Sequence, residues 1–365
     1  MKQLKKIVKK YRLSSVGYVY LLSGLVFLAT IFLIGYFGAG FLKDKGGDET
    51  REEGSVIVET PIRCDHRRIL DGVCVDADKT NPKVYAVMIE NHFEAWPQSG
   101  LADASVVYEA TVEGNITRFL AVFPEGKEIA QIGPVRSARP YYLDWVMEYG
   151  TPVYVHVGGS DEALQTVRTG EVFDLDEFNR GWYFWRRADR YAPHNAYTSS
   201  KLVEKAIADY AVQYTDTDYP GWSFGPMDPC TGTCVTSLSA SFYPPTYKAT
   251  WNYVSSTQKY ERYQVGDHHR DEDGRVIMAD TVIAQHVKNT VIDTVGRKRV
   301  TTVGSGKATV YRQGHAISGT WKKDAKTGRT QWYDETGKEI PLNPGNIWIE
   351  VIAQDNTLTS VESTL

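Results

Sequence analysis

Side chains able to bind or transform a ligand are concentrated in one part of the sequence, at the ends of short apolar runs that predict strands. In chain order they are Glu90, His92, Glu109, Glu113, Arg118, Arg136, Ser137, Arg139, His156, His194 and Asn195. Ligand sites of layered α/β proteins form where neighbouring strands end. The spacing therefore predicts that these side chains meet at one edge of a sheet.

The arginines predict an anion site. Arg136 and Arg139 flank Ser137 in residues 133–140, at a predicted strand-to-helix junction. A guanidinium group grips a phosphate or carboxylate through two parallel hydrogen bonds, and a helix N-terminus also favours negative charge. We predict that these three residues and Arg118 bind an anion. In the alternative interpretation, the arginines pair with nearby glutamates and Ser137 only caps the helix.

Carboxylates and histidines are the candidate catalytic groups. Glu90 and Glu113 could bind a divalent cation or transfer a proton, and His194 could act as a base. The loop after Pro193 can aim both His194 and Asn195, so we expect Asn195 to contact the ligand. His156 is a further ligand-binding candidate, although a histidine near a strand end is more often a hydrogen-bonded structural residue. The sequence leaves the use of a metal open.

Glu109 is the third glutamate of this region. On a predicted strand it either converges with Glu90 and Glu113 or faces solvent. His92 follows Glu90 closely and is a candidate metal ligand. Neither residue has a spacing that decides between a functional and a structural role.

The N-terminal segment predicts a membrane anchor. Residues 1–12 carry six positive charges, and residues 13–42 carry none of either sign. About 20 apolar residues cross a bilayer, so residues 16–42 are long enough. The basic flank places residues 1–15 in the cytoplasm and the rest of the chain outside it. We predict an uncleaved signal-anchor, the alternative being a signal peptide cleaved near residues 38–40.

The rest of the chain is acidic. The formal net charge is -4, and the six positive charges at the N-terminus are part of it, so residues 13–365 carry -10. Nucleic-acid binding depends on a basic surface that neutralises phosphates. We therefore expect no nucleic-acid partner.

The four cysteines form two local pairs, Cys64 with Cys74 and Cys230 with Cys234. An even count outside the cytoplasm favours disulfides, and local pairing is the simplest of three connectivities. A zinc site is the rival interpretation, but neither pair has a second pair of ligands at finger spacing. We predict two disulfides.

The remaining patterns predict two domains outside the membrane. Strands alternate with helices in the first part, whereas short strands between Gly-containing turns fill the second. The predicted segments are a linker with a cysteine loop (43–82), an α/β or α+β layered domain (83–223), a connection with the second cysteine pair (224–246) and an antiparallel β-rich domain (247–355).

Five segments together resemble a bacterial family of unknown function, the YerB-type envelope proteins. They are residues 86–92, 108–119, 133–140, 156–160 and 192–199. The resemblance covers about residues 83–352 and implies two domains and an extracytoplasmic location, but no established reaction. Members are often lipoproteins, whereas this chain has no cysteine at the end of its apolar run.

A weaker likeness, of segment order rather than identity, is to the LytR-CpsA-Psr phosphotransferases. By this analogy Arg118, Arg136 and Arg139 would hold a polyprenyl pyrophosphate, with a magnesium ion near the glutamates. The Arg-Asp pair of that family is missing, because Ser137 follows Arg136.

These patterns lead to one functional prediction with two rivals. We predict that the ectodomain binds an anionic or glycan envelope component, a cell-wall polymer or lipid-linked precursor, through the strand-end cleft of the first domain. One rival is an envelope phosphotransferase or hydrolase, and the other is a non-catalytic scaffold. Binding is favoured over catalysis. Ser137 is a weak candidate nucleophile, because no Gly-x-Ser-x-Gly motif surrounds it.

Overall fold

A computed structural model of the protein describes residues 64–169, 172–210, 219–242 and 244–365. The membrane span predicted at residues 16–42 lies outside these ranges. Within them, no helix has the length and apolar character needed to cross a bilayer.

Short strands dominate the described part of the chain. The first ten are β1 (Val84–Glu90), β2 (Val106–Thr111), β3 (Thr117–Pro124), β4 (Val153–His156), β5 (Phe173–Asp176), β6 (Trp185–Arg186), β7 (Ala196–Tyr197), β8 (Thr233–Ser241), β9 (Ala249–Val254) and β10 (Lys259–Gln264). They are followed by β11 (Asp267–His268), β12 (Met278–Ala279), β13 (Thr281–Val287), β14 (Asn289–Val291), β15 (Lys298–Val300), β16 (Gly304–Arg312), β17 (His315–Lys323), β18 (Gln331–Asp334), β19 (Ile347–Ala353) and β20 (Thr357–Thr364). The α-helices are α1 (Pro140–Val146), α2 (Asp161–Val167), α3 (Glu177–Arg180) and α4 (Ser200–Tyr210).

One large sheet joins the two halves of the chain. Its order is β18-β17-β16-β13-β19-β2-β3-β1-β4-β5, and β19 pairs in parallel with both β13 and β2. The predicted domains 83–223 and 247–355 therefore share one sheet and lie within one compact unit. Strand patterns along the sequence do not reveal such pairing between residues far apart in the chain.

The secondary-structure class of each half of the chain agrees with the class predicted from the sequence. Strands β1, β3 and β4 and helices α2 and α4 form a mixed α/β first part, close to the predicted positions. In the second part, the hairpins of β16, β17 and β18 and a six-stranded sheet of β8–β12 and β20 are antiparallel. The β-rich character predicted for the second part is confirmed.

Helix α1 begins later than the sequence suggests. Ser137 was a candidate cap of the helix at this junction, but the helix begins at Pro140, and Arg139 before it is extended (φ -135°, ψ 149°). A residue that precedes proline is disfavoured in the helical region, whereas proline fits the first helical position. Ser137 therefore does not cap α1.

Both predicted disulfides are confirmed. Cys64 is bonded to Cys74 and Cys230 to Cys234, with Cα–Cα distances of 5.5 and 5.8 Å.

The large sheet is covered on both faces. All seven residues of β1 are buried. Val84, Ala86 and Met88 pack in one apolar cluster and Tyr85, Val87 and Ile89 in another, because successive side chains of a strand point to opposite faces. The same alternation decides on which face each polar residue at the strand ends lies.

Candidate functional site

Glu90 and Arg118 are cross-strand partners at the end of the β1–β3 pair. Both continue the face that packs against α1, since Met88 and Leu120 two residues away belong to the cluster that contains the α1 tyrosines. Their exposed fractions are 3% and 5%. The sheet thus buries a carboxylate and a guanidinium side by side near its edge.

Glu90 is the centre of a group that also contains Arg136 and His194. Its Oε2 lies 2.7 Å from Nε of Arg136 and 2.8 Å from Nδ1 of His194. The backbone places Arg136 there, because its N–H donates to the Met88 carbonyl while the Glu90 N–H donates to that of Pro134. Three residues separated by up to 104 positions in the chain are brought together as predicted.

Glu113 and Arg139 form a second group. Nε and Nη2 of Arg139 donate to Oε1 and Oε2 of Glu113 at 2.6 and 2.7 Å, the paired geometry of a strong ion pair. Burial raises the pKa of Glu113, but the hydrogen bonds from Arg139 outweigh it and hold this pKa below its ordinary value. The two charges compensate each other inside the protein.

Arg118 is different, because it has no such partner. Its Nη1 donates to the Ser137 carbonyl at 2.8 Å, and no carboxylate of the described residues lies within 4 Å of its guanidinium group. Burial lowers the pKa of Arg118, the positive charges of Arg139 and Arg136 lower it further, and the negative charge of Glu90 only partly opposes them. We call Arg118, Arg136 and Arg139 the arginine cluster. It contains three cations, and its ion-pair partners Glu90 and Glu113 are two anions.

A histidine pair borders the arginine cluster. His92 caps a short 3-10 turn, Phe93–Ala95, and its ring stacks on that of His194 with centroids 4.8 Å apart. Oε2 of Glu94, in this turn, lies 3.1 Å from Nε2 of His194 and 3.6 Å from Nδ1 of His92. Burial and the nearby His194 lower the pKa of His92. Glu94 was not among the residues predicted from the sequence. Its position two residues after His92, just beyond a strand, could have marked it as a second metal-ligand candidate.

His156 and Asn195 are not available to a ligand in the predicted way. His156 is fully buried, with its ring nitrogens 2.9 Å from the Gly158 carbonyl and 2.9 Å from Asp174 Oδ1. Asn195 accepts from Nη1 of Arg186 and donates to the Arg187 carbonyl, which ties the β6–β7 ribbon together. His156 is buried at the end of β4, whereas Asn195 precedes β7 and is partly exposed, with its side chain engaged by two arginines of the ribbon.

Glu109 lies on the opposite face of the sheet from Glu90 and Arg118. It is fully buried, and Oε2 accepts from Nη2 of Arg262 at 2.6 Å. Its register partner on β19 is Glu350, whose pKa is raised well above its ordinary value by burial and by the charge of Glu109. Glu109 therefore belongs to a buried network that connects the two halves of the chain, not to the predicted site.

A separate cavity of about 660 Å³ lies elsewhere on the surface. Five acidic residues line it: Asp103, Glu128, Asp271, Glu272 and Asp273. Burial raises the pKa of Asp271 to about 7, although the carboxyl group accepts hydrogen bonds from the N–H groups of Leu101 and Ala102. None of the predicted site residues lines this cavity.

Comparison with known proteins finds two family models, a relative and a solved structure that match this chain. Models of the N-terminal and C-terminal domains described as protein of unknown function (DUF3048) match residues 70–213 and 238–349. The chain is 29% identical over 286 residues to the "Putative lipoprotein YerB" of Bacillus subtilis (strain 168), covering 78% of this chain and 85% of that protein. A crystal structure of the YerB protein from Bacillus subtilis matches with a TM-score of 0.71 and 27% identity, over 80% of this chain and 99% of the other.

Proposed function

The chain belongs to the DUF3048 family of proteins of unknown function, and from this premise we propose that it is an envelope protein that binds an anionic envelope component at the arginine cluster. The Bacillus subtilis relative is named as a lipoprotein, which is a membrane-attached class. The apolar residues 16–42 would attach this chain to the same membrane as a single-pass anchor. The two disulfides support an oxidising compartment outside the cytoplasm.

The observation that carries the proposal is the unpaired state of Arg118. A buried charge without a counter-ion is costly, so buried arginines are usually paired with carboxylates. Glu90 and Glu113 are each paired with another arginine of the cluster. An anion bound beside Arg118 would supply the missing negative charge.

The chemistry of the cluster indicates the class of ligand. Guanidinium groups match the flat, two-oxygen edge of a phosphate or carboxylate, and Arg136, with a side chain 20% exposed, can reach solvent. Residues 13–365 are acidic overall, so binding would depend on short-range contacts with the arginine cluster and not on long-range attraction. We therefore propose recognition of single phosphate, pyrophosphate or carboxylate groups on a cell-wall polymer or lipid-linked precursor.

The test uses the full-length chain in detergent, in metal-free buffer, with inorganic pyrophosphate as the probe in titration calorimetry. Arg118→Met removes the unpaired charge, and Arg168→Met, at an exposed arginine, is the control with the same net charge. We expect Arg118→Met to weaken pyrophosphate binding at least ~10-fold, since a charge-assisted hydrogen bond contributes about 1.5–3 kcal/mol. The control variant should bind like the wild type.

Retention on purified cell-wall polymer should follow the same order among the three proteins. If wild type and Arg118→Met bind pyrophosphate and polymer equally, the arginine cluster is not the binding site. In that case the two internal ion pairs of the cluster favour the alternative function, a scaffold whose charges only hold the fold together.

A further inference from the structure

We infer that His92, Glu94 and His194 form a binding site for a transition-metal dication of the zinc type. Each residue offers one ligand atom, and these atoms lie within 4.8 Å of one another. The site is distinct from the arginine cluster and does not depend on anion binding there.

Two of the three ligand distances are close to those around a small ion, and the two histidine nitrogens lie within 4.8 Å of each other. Four ligands at about 2.05 Å around tetrahedral zinc are about 3.3 Å from each other. Oε2 of Glu94 lies 3.1 Å from Nε2 of His194 and 3.6 Å from Nδ1 of His92, on either side of that value. The Glu94 N–H donates to Nδ1 of His92 at 3.3 Å, so this nitrogen presents a lone pair. A bound ion would take the place of this long hydrogen bond.

Glu90 orients the ring of His194 by contacting the nitrogen that does not face the proposed ion. Its Oε2 lies 2.8 Å from Nδ1 of His194, so the proton of the ring is held at Nδ1 and Nε2 is left free to bind an ion. A carboxylate that accepts from the far nitrogen is the usual support of a metal-binding histidine. Glu90 is itself held by Arg136.

The ligand set indicates which metal and which kind of site. Two imidazoles and one carboxylate suit zinc better than magnesium, which prefers oxygen ligands. Three protein ligands leave one tetrahedral position for water or another molecule, as in catalytic rather than structural zinc sites. The side chains of His92, Glu94 and His194 are 21%, 59% and 12% exposed, so an ion can enter from solvent.

Metal content of the full-length chain in detergent provides the test. The protein is stripped with a chelator, loaded with Zn²⁺, passed through gel filtration and measured by mass spectrometry of the metal. We expect one zinc per chain, and for Co²⁺-loaded protein the visible absorption of a tetrahedral site. Mg²⁺ should not compete.

Glu94→Gln is the decisive variant, because this exposed side chain can be changed without disturbing the core. It should lose the Co²⁺ absorption and most of the zinc, whereas His66→Ala, at an exposed histidine elsewhere, should retain both. Glu90→Gln should weaken zinc binding by roughly 10–100-fold, the usual effect of removing a supporting carboxylate. No retained zinc in the wild type, or unchanged zinc in Glu94→Gln, would overturn the inference and leave the anion-binding proposal untouched.

Discussion

Replacing Arg118 should weaken anion binding without lowering the free energy of unfolding. In Arg118→Met the protein loses a charge-assisted hydrogen bond to the Ser137 carbonyl, which costs about 1.5–3 kcal/mol. It also loses a buried cation that has no carboxylate within 4 Å among the described residues, a change that gains a similar or larger free energy. We therefore expect a free energy of unfolding within about 1 kcal/mol of the wild type, or higher.

Arg139→Met provides the matched comparison in the same cluster. It deletes both hydrogen bonds to Glu113 and leaves this carboxylate partly buried without its cation. Breaking a buried pair costs about 3–5 kcal/mol, and the 19% exposure of the Glu113 side chain places the expected loss near the lower end. The two variants should thus differ by about 3 kcal/mol although each removes one arginine.

Urea unfolding of the full-length proteins, followed by circular dichroism, measures both values. The control for the loss of charge is again Arg168→Met, which should unfold like the wild type. If Arg118→Met is destabilised as much as Arg139→Met, then Arg118 is compensated within the fold and the reason for proposing an anion beside it fails.

Two further predictions concern titration and cross-linking. Burial raises the pKa of Asp271 to about 7 from the ordinary 3.8, so its contribution to stability is full below about pH 4 and is lost as the pH rises through 7. The wild type should lose on the order of 2 kcal/mol of unfolding free energy between about pH 5 and pH 7 relative to Asp271→Asn, as measured by urea unfolding; parallel pH profiles would contradict this. Replacing both cysteines by serine should cost about 3 kcal/mol for the Cys64–Cys74 pair and about 2 for the Cys230–Cys234 pair, whose separations are 10 and 4 residues. Equal losses in melting experiments would contradict this order.

The local elements were predictable because their patterns are local. Strands β1 and β3 are short apolar runs, and a serine caps the start of α2, so each is visible in a few consecutive residues. The insertion of β19 between β13 and β2 was not predictable, because the sequence of residues 347–353 does not indicate pairing with a strand more than 200 positions away. One sheet shared by both halves is therefore a result of the structure alone.

The candidate site was predictable in part for the same reason. Glu90, Arg136 and His194 were expected to converge, and they do. The sequence left open whether Glu109 joins these residues. Strand alternation places residue 109 on the opposite face of the sheet from residues 108 and 110. His156 was predicted to bind a ligand, but strand β5 pairs with β4 beside it and contributes to the burial of its ring. The periodicity of the sequence did not reveal this pairing.

The most direct test of the account is a crystal structure of the full-length chain grown with pyrophosphate. The account predicts a phosphate group within hydrogen-bond distance of Arg118, with Arg136 as a second donor and the Glu113–Arg139 pair intact. Pyrophosphate bound only at other arginines, or an Arg118 guanidinium group already paired with a carboxylate, would contradict it.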